Sequence, residues 1–456
     1  LLVELSRLRV ESSARASSAD WEATHDSLTG LPNRAGLEAV ARPAASVRTV
    51  TAMFVDLDHF KEVNDRFGHL VGDLVLTEAA GRLRRAVRAD DVVGRLGGDE
   101  FLVLLQREID DEAAAELADR LIADLEAPFE VADHDVYVSA SIGITRVPAG
   151  DTDVNRLVHQ SDKALYHAKR NGRRQAVVLD RELEQQLHER SGLEMALRRA
   201  VRGDEIVAWG QPVYDLSTGR VAWVELLARW EPTPGSFVPP TVFIPLAEDI
   251  GVVADLDRTM LAHATTALGR WRSHPVLSTA DVAVNVSALH LARGQLDREV
   301  SELVACHDLR PERLIIEITE SHRLADSPGV SAMFHHLVQL GARLAVDDFG
   351  TGYSSLGQLL ELPISFVKID RTLTAGCVGD VHRTGIVAAI RQLAASLGHV
   401  VVAEGIETSA DRDAMQALGI DQAQGYLFCP PLPLGALEAE LLRAPATAPV
   451  RAVTGR

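Results

Sequence analysis

Two patterns of apolar residues divide this chain. From about Asp20 to Leu179, short β-branched runs at Val50–Val55 and Tyr137–Thr145 alternate with segments of helical spacing at Leu70–Val87, Ala113–Leu125 and Leu157–Arg170. Val92–Leu96 and Phe101–Leu105 flank a paired glycine, so hairpins mix with helices and the pattern predicts a compact mixed-sheet α/β sandwich. Asp180–Val201, rich in Glu, Gln, Arg and Leu, predicts a connecting helix. Strand-like runs then recur with helical stretches between them: Ile206–Tyr214, Val221–Leu227, Val282–Val286, Leu314–Ile318, Leu344–Val346, Phe366–Ile369, Val400–Ala403 and Gln424–Phe428. Such an alternation over about 250 residues predicts a (β/α) TIM-type barrel.

Leu1, Leu5 and Leu8 stand at helical spacing, as in the end of a coiled coil from an upstream sensor or in a fraying helix. The chain begins with Leu rather than Met and reads as a piece of a longer protein. The expected division is a helical stub at 1–20, an α/β domain at 21–179, a connecting helix at 180–201, a barrel at 202–445 and a tail at 446–456.

Composition narrows the function classes. The 456 residues are enough for two full-sized cores, and the 46% hydrophobic and 24% charged fractions are those of a globular protein. A net charge of −19 argues against a broad nucleic-acid surface, while leaving room for local sites that take small phosphates. Cys306, Cys377 and Cys429 are scattered and lack metal-type spacing, which suits a reducing cytoplasmic compartment. No run approaches the roughly 20 apolar residues of a membrane helix, so any membrane anchor of a longer protein would lie before Leu1.

Candidate chemistry concentrates in two places. Gly97-Gly98-Asp99-Glu100 joins two strand-like runs; paired glycines give the positive φ of a tight turn and let phosphates approach the backbone, with two acids at its tip. Asp56, at the end of the preceding strand, and the turn acids are the hard oxygen donors that Mg²⁺ takes beside a triphosphate. Asn64 and Asp73 could read a purine edge or act as a helix-cap pair. In the second half, Glu225, Asn285, Glu317, Asp347 with Asp348, Lys368 with Asp370, Glu404 and Gln424 each stand at the end of an expected strand. Barrel enzymes build their sites at one end of the strands, so these groups should converge on one mouth as a metal site. Trp209, Trp223, Trp230 and Trp271 read as packing residues.

The segments Asp26–Arg34, Val55–Lys61, Asn64–Asp73 and Arg95–Phe101 together resemble the GGDEF family of diguanylate cyclases, with its nucleotidyl-cyclase-like fold. The resemblance implies a homodimer that holds two GTP molecules face to face, each 3′-hydroxyl attacking the other's α-phosphorus to give cyclic di-GMP and pyrophosphate. It implies metal carboxylates at Asp56 and Asp99, with the Leu57 carbonyl as a further ligand. Glu100 would stand near the metals or the reacting hydroxyl, Asn64 and Asp73 would read guanine, and Lys61, Lys169 and Arg173 would meet phosphates. Arg88 and Asp91 stand where the family often carries an inhibitory site for its own product.

Glu225–Trp230, Phe243–Glu248, Asn285–Ser287, Glu317–Glu320, Asp347–Leu356, Val367–Asp370, Ala403–Glu407 and Gln424–Tyr426 resemble, in order, the EAL family of cyclic di-GMP phosphodiesterases. The name-giving Glu-Ala-Leu reads Glu225-Leu226-Leu227 here, a change at a position with no chemistry of its own. The resemblance implies hydrolysis to linear pGpG with two divalent ions, Mg²⁺ or Mn²⁺. Glu225, Asn285, Glu317 and Asp347 would bind one ion, and Asp347 would bridge to a second near Asp348. Lys368 would orient the attacking water or stabilise charge, and Glu404 would act as base or hold a metal-bound water. Gln424 and Arg229 would contact substrate. Glu320 would fix a loop, carrying Gly350 and Gly352, that couples metal binding to dimer contacts. The combined expectation is a bifunctional enzyme; the alternatives are a phosphodiesterase with a GTP-binding regulatory domain, or a non-catalytic cyclic di-GMP receptor.

Overall fold

The computed structural model describes residues 21–40, 49–131, 134–148, 153–319, 328–350 and 361–443. The chain divides into two compact units between Ser191 and Gly192. That division falls inside one helix, Arg181–Ala200, which occupies the stretch expected to connect the domains. No helix among the described residues is long and apolar enough to cross a membrane.

The first unit is built on strand β1 (Thr49–Asp58), whose sequence Thr-Val-Thr-Ala-Met-Phe-Val-Asp-Leu-Asp is buried along nearly its whole length. It pairs antiparallel with β3 (Glu100–Leu105) and β6 (Ser139–Pro148). β2 (Val92–Gly97) and β7 (Ala176–Val178) complete the order β2-β3-β1-β6-β7, and β4 (Phe129–Val131) with β5 (His134–Val136) forms a separate hairpin. Strand alternation gives β1 two apolar faces. Met53, Val55 and Leu57 join the core under helices His69–Ala86 and Asp111–Glu126, while Val50, Ala52 and Phe54 join the core of helices Arg34–Val40 and Val154–Arg170. This is the mixed-sheet sandwich expected from the sequence.

The second unit closes a ring of eight strands: β8 (Ile206–Asp215), β9 (Val221–Thr233), β11 (Asp281–Asn285), β12 (Leu314–Thr319), β13 (Arg343–Phe349), β14 (Phe366–Ile369), β15 (Val400–Ala403) and β16 (Gln422–Ala423). β10 (Ser236–Val238) extends the edge of β9, and β17 (Leu432–Pro433) pairs with β8. The strands run parallel except β8, which is antiparallel to both β9 and β16. The last strand lies slightly earlier than the sequence suggested. Gln424–Phe428 is apolar enough to read as a strand, but only Gln422–Ala423 pair and the chain then turns. Gly425 has φ 159°, and a Cβ there would lie 2.1 Å from the Ile406 carbonyl oxygen, so that turn requires glycine.

The barrel interior is layered. Val213, Trp223, Ala283, Ile315, Ala345, Phe366 and Val402 fill one end as a closed apolar layer, while outward-facing residues such as Val224, Val284, Ile316 and Val367 pack under the helices. Strands buried on both faces read as nearly continuous apolar runs, and these do. The next inward position on each strand is polar.

In the first unit, Gly143 of β6 faces helix Val154–Arg170, and a Cβ there would lie 2.0 Å from the Ser161 carbonyl oxygen and 2.3 Å from Leu165 N. Gly143→Ala should therefore destabilise this unit by about 1–3 kcal/mol, as overpacking does. Hydrogen exchange on the whole chain should show faster exchange in β6 and that helix with β9–β15 unaltered; unaltered exchange in β6 would contradict the packing argument.

Candidate functional sites

The first site forms where β1, the β2–β3 turn and the end of helix Val154–Arg170 meet. Gly97 (φ 152°) and Gly98 (φ 54°) make the turn, and Asp56 lies opposite Glu100 in the β1–β3 register. Arg95 fixes the turn from behind: its Nε and Nη2 donate to the Gly98 carbonyl at 3.0 and 2.7 Å, and its Nη1 donates to both Asp26 oxygens at 2.9 and 3.1 Å. Burial opposes ionisation of Asp26, but the bonds from Thr29 and Arg95 outweigh it and hold the carboxyl below its ordinary value.

Asp56 is buried and its Oδ1 lies 2.7 Å from Lys169 Nζ. Burial pushes this carboxyl up, Lys169 offsets part of the rise, and Asp99 and Asp58 add to it. Partial desolvation and repulsion from Asp56, Asp99 and Asp162 likewise raise Glu100, although its side chain is largely exposed. Leu57 is held beside the turn by its N–H, 3.4 Å from the Asp99 carbonyl. Lys169, expected at a phosphate, pairs with Asp56 in the structure. Sequence reasoning missed Asp58, whose carboxylate takes Ser139 Oγ and Ser141 Oγ at 2.8 Å and the Arg174 N–H at 3.3 Å, tying the loop after Lys169 to β1.

Asn64 lies on helix Phe60–Phe67 and Asp73 on helix His69–Ala86; a Cβ at Gly72 would sit 2.0 Å from Asn64 Oδ1, so the amide packs over a glycine. Lys61, Asp73 and Arg173 are exposed, and Arg173 adopts φ 60°. Arg88 is exposed, whereas Asp91 is buried and already committed: its Oδ2 accepts from Arg88 N at 3.1 Å and its Oδ1 from Gln106 N at 3.2 Å.

The second site is the polar layer of the barrel, and its centre is Lys368. This fully buried lysine on β14 places Nζ 2.8 Å from Glu404 Oε1, 3.0 Å from Glu317 Oε2 and Asp347 Oδ1, and 3.3 Å from Glu225 Oε2. Asn285 Nδ2 donates to Glu225 Oε1 at 2.9 Å, and Gln424 Nε2 donates to Glu225 Oε2 at 2.8 Å and to Gln211 Oε1 at 3.0 Å. Gln211, on the antiparallel β8, was not singled out from the sequence because it lies mid-run rather than at a strand's C-terminal end. Asp370 instead caps helix Arg371–Thr374 through Thr372 N. Gly350 lies just after β13 with φ 102°, and Glu320 and Gly352 lie outside the described residues.

The electrostatics of this layer are unbalanced. Burial disfavours the charge on Lys368, yet Asp347, Glu225, Glu317 and Glu404 hold its ammonium well above its ordinary value. Burial also disfavours charge on Glu225, but Lys368, Gln424 and Asn285 hold that carboxyl low. The remaining acids are pushed up by burial and by one another: Glu317 strongly, Asp347 and Asp348 less, and Glu404 to about 8. One oxygen from each of Glu225, Glu317 and Asp347 falls within 4.8 Å of the others, as does one from each of Asp347, Asp348 and Glu404. These two groups share Asp347, an arrangement suited to a pair of divalent ions. Glu317 Oε1 is buried with no hydrogen-bond partner among the described residues, so this hard-oxygen donor set fits Mg²⁺ or Mn²⁺.

Above the polar layer, Arg229 lies four residues beyond Glu225 on β9 and its guanidinium sits 5.3 Å from the Trp209 ring centroid. Trp223, Trp230 and Trp271 are fully buried packing residues as expected; Trp209 is half-buried at the rim, beside Phe237.

Both halves of the chain resemble known proteins. The family model "EAL domain" matches residues 194–431, and "Diguanylate cyclase, GGDEF domain" matches residues 23–175. The chain is 37% identical over 451 residues to "Bifunctional diguanylate cyclase/cyclic di-GMP phosphodiesterase MucR" of Pseudomonas aeruginosa, spanning 96% of this chain and 65% of that protein. It is 34% identical over 423 residues to "Cyclic di-GMP phosphodiesterase PdeR" of Escherichia coli, spanning 91% of this chain and 63% of that one. The chain thus spans less than two thirds of the length of these curated relatives. Among solved structures, "PaMucR Phosphodiesterase, c-di-GMP complex" is 35% identical, with a TM-score of 0.51 over 54% of this chain and 99% of that one.

The raised carboxyls would make metal binding at this cluster depend on pH. Glu404 ionises near 4.5 when unperturbed and at about 8 in the fold, so its ionisation costs the folded chain progressively more stability as pH rises across that window. A divalent ion removes that cost. Saturating Mg²⁺ should therefore raise the melting temperature of the EDTA-treated chain more at pH 8 than at pH 6, with Glu404→Gln narrowing the difference. An equal or smaller increment at pH 8 would contradict the assignment.

Proposed function

The chain belongs to the tandem GGDEF–EAL family, and from that premise we propose that it is a bifunctional cyclic di-GMP turnover enzyme. Cyclic di-GMP metabolism follows from the two domains together. The finer reading, synthesis in the first unit and two-metal hydrolysis in the second, rests above all on the ring of Glu225, Glu317, Asp347 and Glu404 around Lys368.

In the barrel, Glu225, Asn285, Glu317 and Asp347 would hold one Mg²⁺ or Mn²⁺, and Asp347 with Asp348 would reach a second. Such ions would supply Lewis-acid polarisation of the phosphodiester and a lowered pKa for the attacking water. Lys368, kept charged by its carboxylates, would hold the attacking water or the phosphate in line, and Glu404, ionised once divalent charge offsets its burial, would take the water's proton. Gln424, anchored by Gln211, and Arg229 orient the dinucleotide as linear pGpG forms.

In the first unit, Asp56, Asp99, Glu100 and the Leu57 carbonyl would hold a metal for the triphosphate, and Asn64 and Asp73 would read guanine. Lys61 and Arg173 would meet phosphates, and Lys169, paired with Asp56, would be within reach of the same triphosphate. Phosphoryl transfer asks mainly for positioning and charge neutralisation, which this donor set offers. Two GTP molecules facing one another require a homodimer. Arg88, with Asp91 shaping its turn, forms the product-inhibition site.

The names of PdeR and of "Cyclic di-GMP phosphodiesterase NbdA" of Pseudomonas aeruginosa, 35% identical over 429 residues, favour a second reading in which the first unit binds GTP only to regulate hydrolysis. Purified chain given GTP and Mg²⁺ distinguishes the two. The bifunctional reading predicts cyclic di-GMP and pGpG, with Asp99→Ala stopping GTP consumption but sparing hydrolysis of added cyclic di-GMP. Glu225→Ala should do the reverse, lowering hydrolysis at least about 100-fold, since even outer-shell changes at metal sites cost 10- to 100-fold. Neither product forming from GTP would leave the hydrolase-only reading; hydrolysis surviving Glu225→Ala would contradict the metal site.

A further inference from the structure

Trp209 differs from the other barrel tryptophans in its height above the metal layer. In the antiparallel β8–β9 register, Gln211 lies opposite Glu225, Trp209 opposite Leu227 and Val207 opposite Arg229. Cross-strand partners share a face, so Trp209 stands on the inward face one position above Gln211, and Arg229 stands two positions above Glu225. Because β8 runs against the other strands, its N-terminal half points toward the mouth that their C-terminal ends form. Trp223, on the same inward face of β9 but one position below Glu225, is sealed in the apolar layer. Height in the barrel therefore separates a packing tryptophan from one at the rim.

At that rim the indole is held in a built stack. The Arg229 guanidinium lies over it at 5.3 Å, and the Phe237 ring meets it edge-on at 5.3 Å with an interplanar angle of 77°. β10 carries Phe237 there by folding back on β9, with Ser236 opposite Thr233 and Val238 opposite Trp230. The backbone of Trp209 is itself fixed on its other side by Pro433 of β17. Phe237 is exposed, so ring surface at this rim meets solvent.

We propose that Trp209, stacked with Arg229 and edged by Phe237, is a purine-binding wall that takes one guanine of the dinucleotide whose phosphodiester lies at the carboxylate layer. This rests on the hydrolase reading above. Two residues along a strand cover about 7 Å, the scale of the step from a nucleotide's phosphate to its base. Aromatic rings and guanidinium planes are the groups on which bases stack. Arg229 also carries donors in the fork that matches guanine O6 and N7. The wall would thus add binding energy far from the reacting phosphorus and select a base-bearing diester over a bare one.

The test compares hydrolysis of cyclic di-GMP with that of bis(p-nitrophenyl) phosphate, a diester without a purine, in the full chain with Mn²⁺. Loss of one stacking ring should lower the ratio of the two kcat/KM values about five- to 150-fold. That fall is expected in Trp209→Leu, which keeps apolar bulk but has no ring, mainly through KM for cyclic di-GMP. Trp209→Phe, which restores a ring, should keep the ratio within about threefold of wild type. A ratio in Trp209→Leu equal to wild type, whether both rates persist or both fall together, overturns the wall. A wild-type chain that cleaves neither diester overturns the hydrolase reading and the wall with it, whereas a wild type that cleaves both without preference overturns the wall alone.

Discussion

The barrel depends on one buried ammonium. Lys368 Nζ lies within 3.3 Å of carboxylate oxygens from four different strands or strand ends, a contact set that no other lysine among the described residues makes. Removing water from so many charges is costly, and the cost is offset only where partners are close and hydrogen-bonded. Asn285 and Gln424 complete the coordination of Glu225, and Gln211 in turn holds Gln424, so the polar layer is a single network. The apolar layer beneath it excludes water and keeps those interactions strong. Even so, four carboxylates surround one lysine with a fifth, Asp348, beside Asp347, and the upward pressure on Glu317, Asp347, Asp348 and Glu404 suits the layer to divalent cations.

The first unit solves the same problem on a smaller scale. Asp56 is buried at the end of a central strand and shares its charge with Lys169, while Asp99 and Glu100 stand on a turn that Arg95 and Asp26 brace from behind. In both units a lysine sits where metal and phosphate charge would balance the acids. The difference is exposure: the barrel encloses its donors in a ring, whereas the hairpin presents its acids at a tip. An enclosed site suits hydrolysis of one bound diester, and an open tip suits a reaction shared between two protomers.

Much of this was legible in the sequence, for reasons that differ from residue to residue. β1 and the barrel strands announce themselves because they are buried on both faces, and the Gly97-Gly98 turn because only glycine tolerates its backbone. The strand-end acids were visible as polar interruptions of apolar runs. Strand direction was not, since periodicity carries no sign, and so the antiparallel course of β8, and with it Gln211, escaped notice. Gln424–Phe428 has a strand's composition, but the close approach of Gly425 to Ile406 makes it a turn. Pairings between distant segments, such as Lys169 with Asp56 or Asp91 with Gln106, exist only once the sheet has formed. Trp209 and Trp223 share a residue type and an inward face, and only their height relative to Glu225 distinguishes them.

Manganese binding followed by electron paramagnetic resonance tests the central claim most directly. In a chain carrying Asp56→Ala, Asp99→Ala and Glu100→Ala, which leaves the first-unit site none of its three metal carboxylates, the barrel should bind about two Mn²⁺ ions with the spin coupling expected of ions roughly 4 Å apart. Asp347→Asn should abolish the coupling, because Asp347 is the donor common to both groups. Uncoupled ions in the parent chain, or coupling that survives Asp347→Asn, would contradict the two-ion site around Lys368.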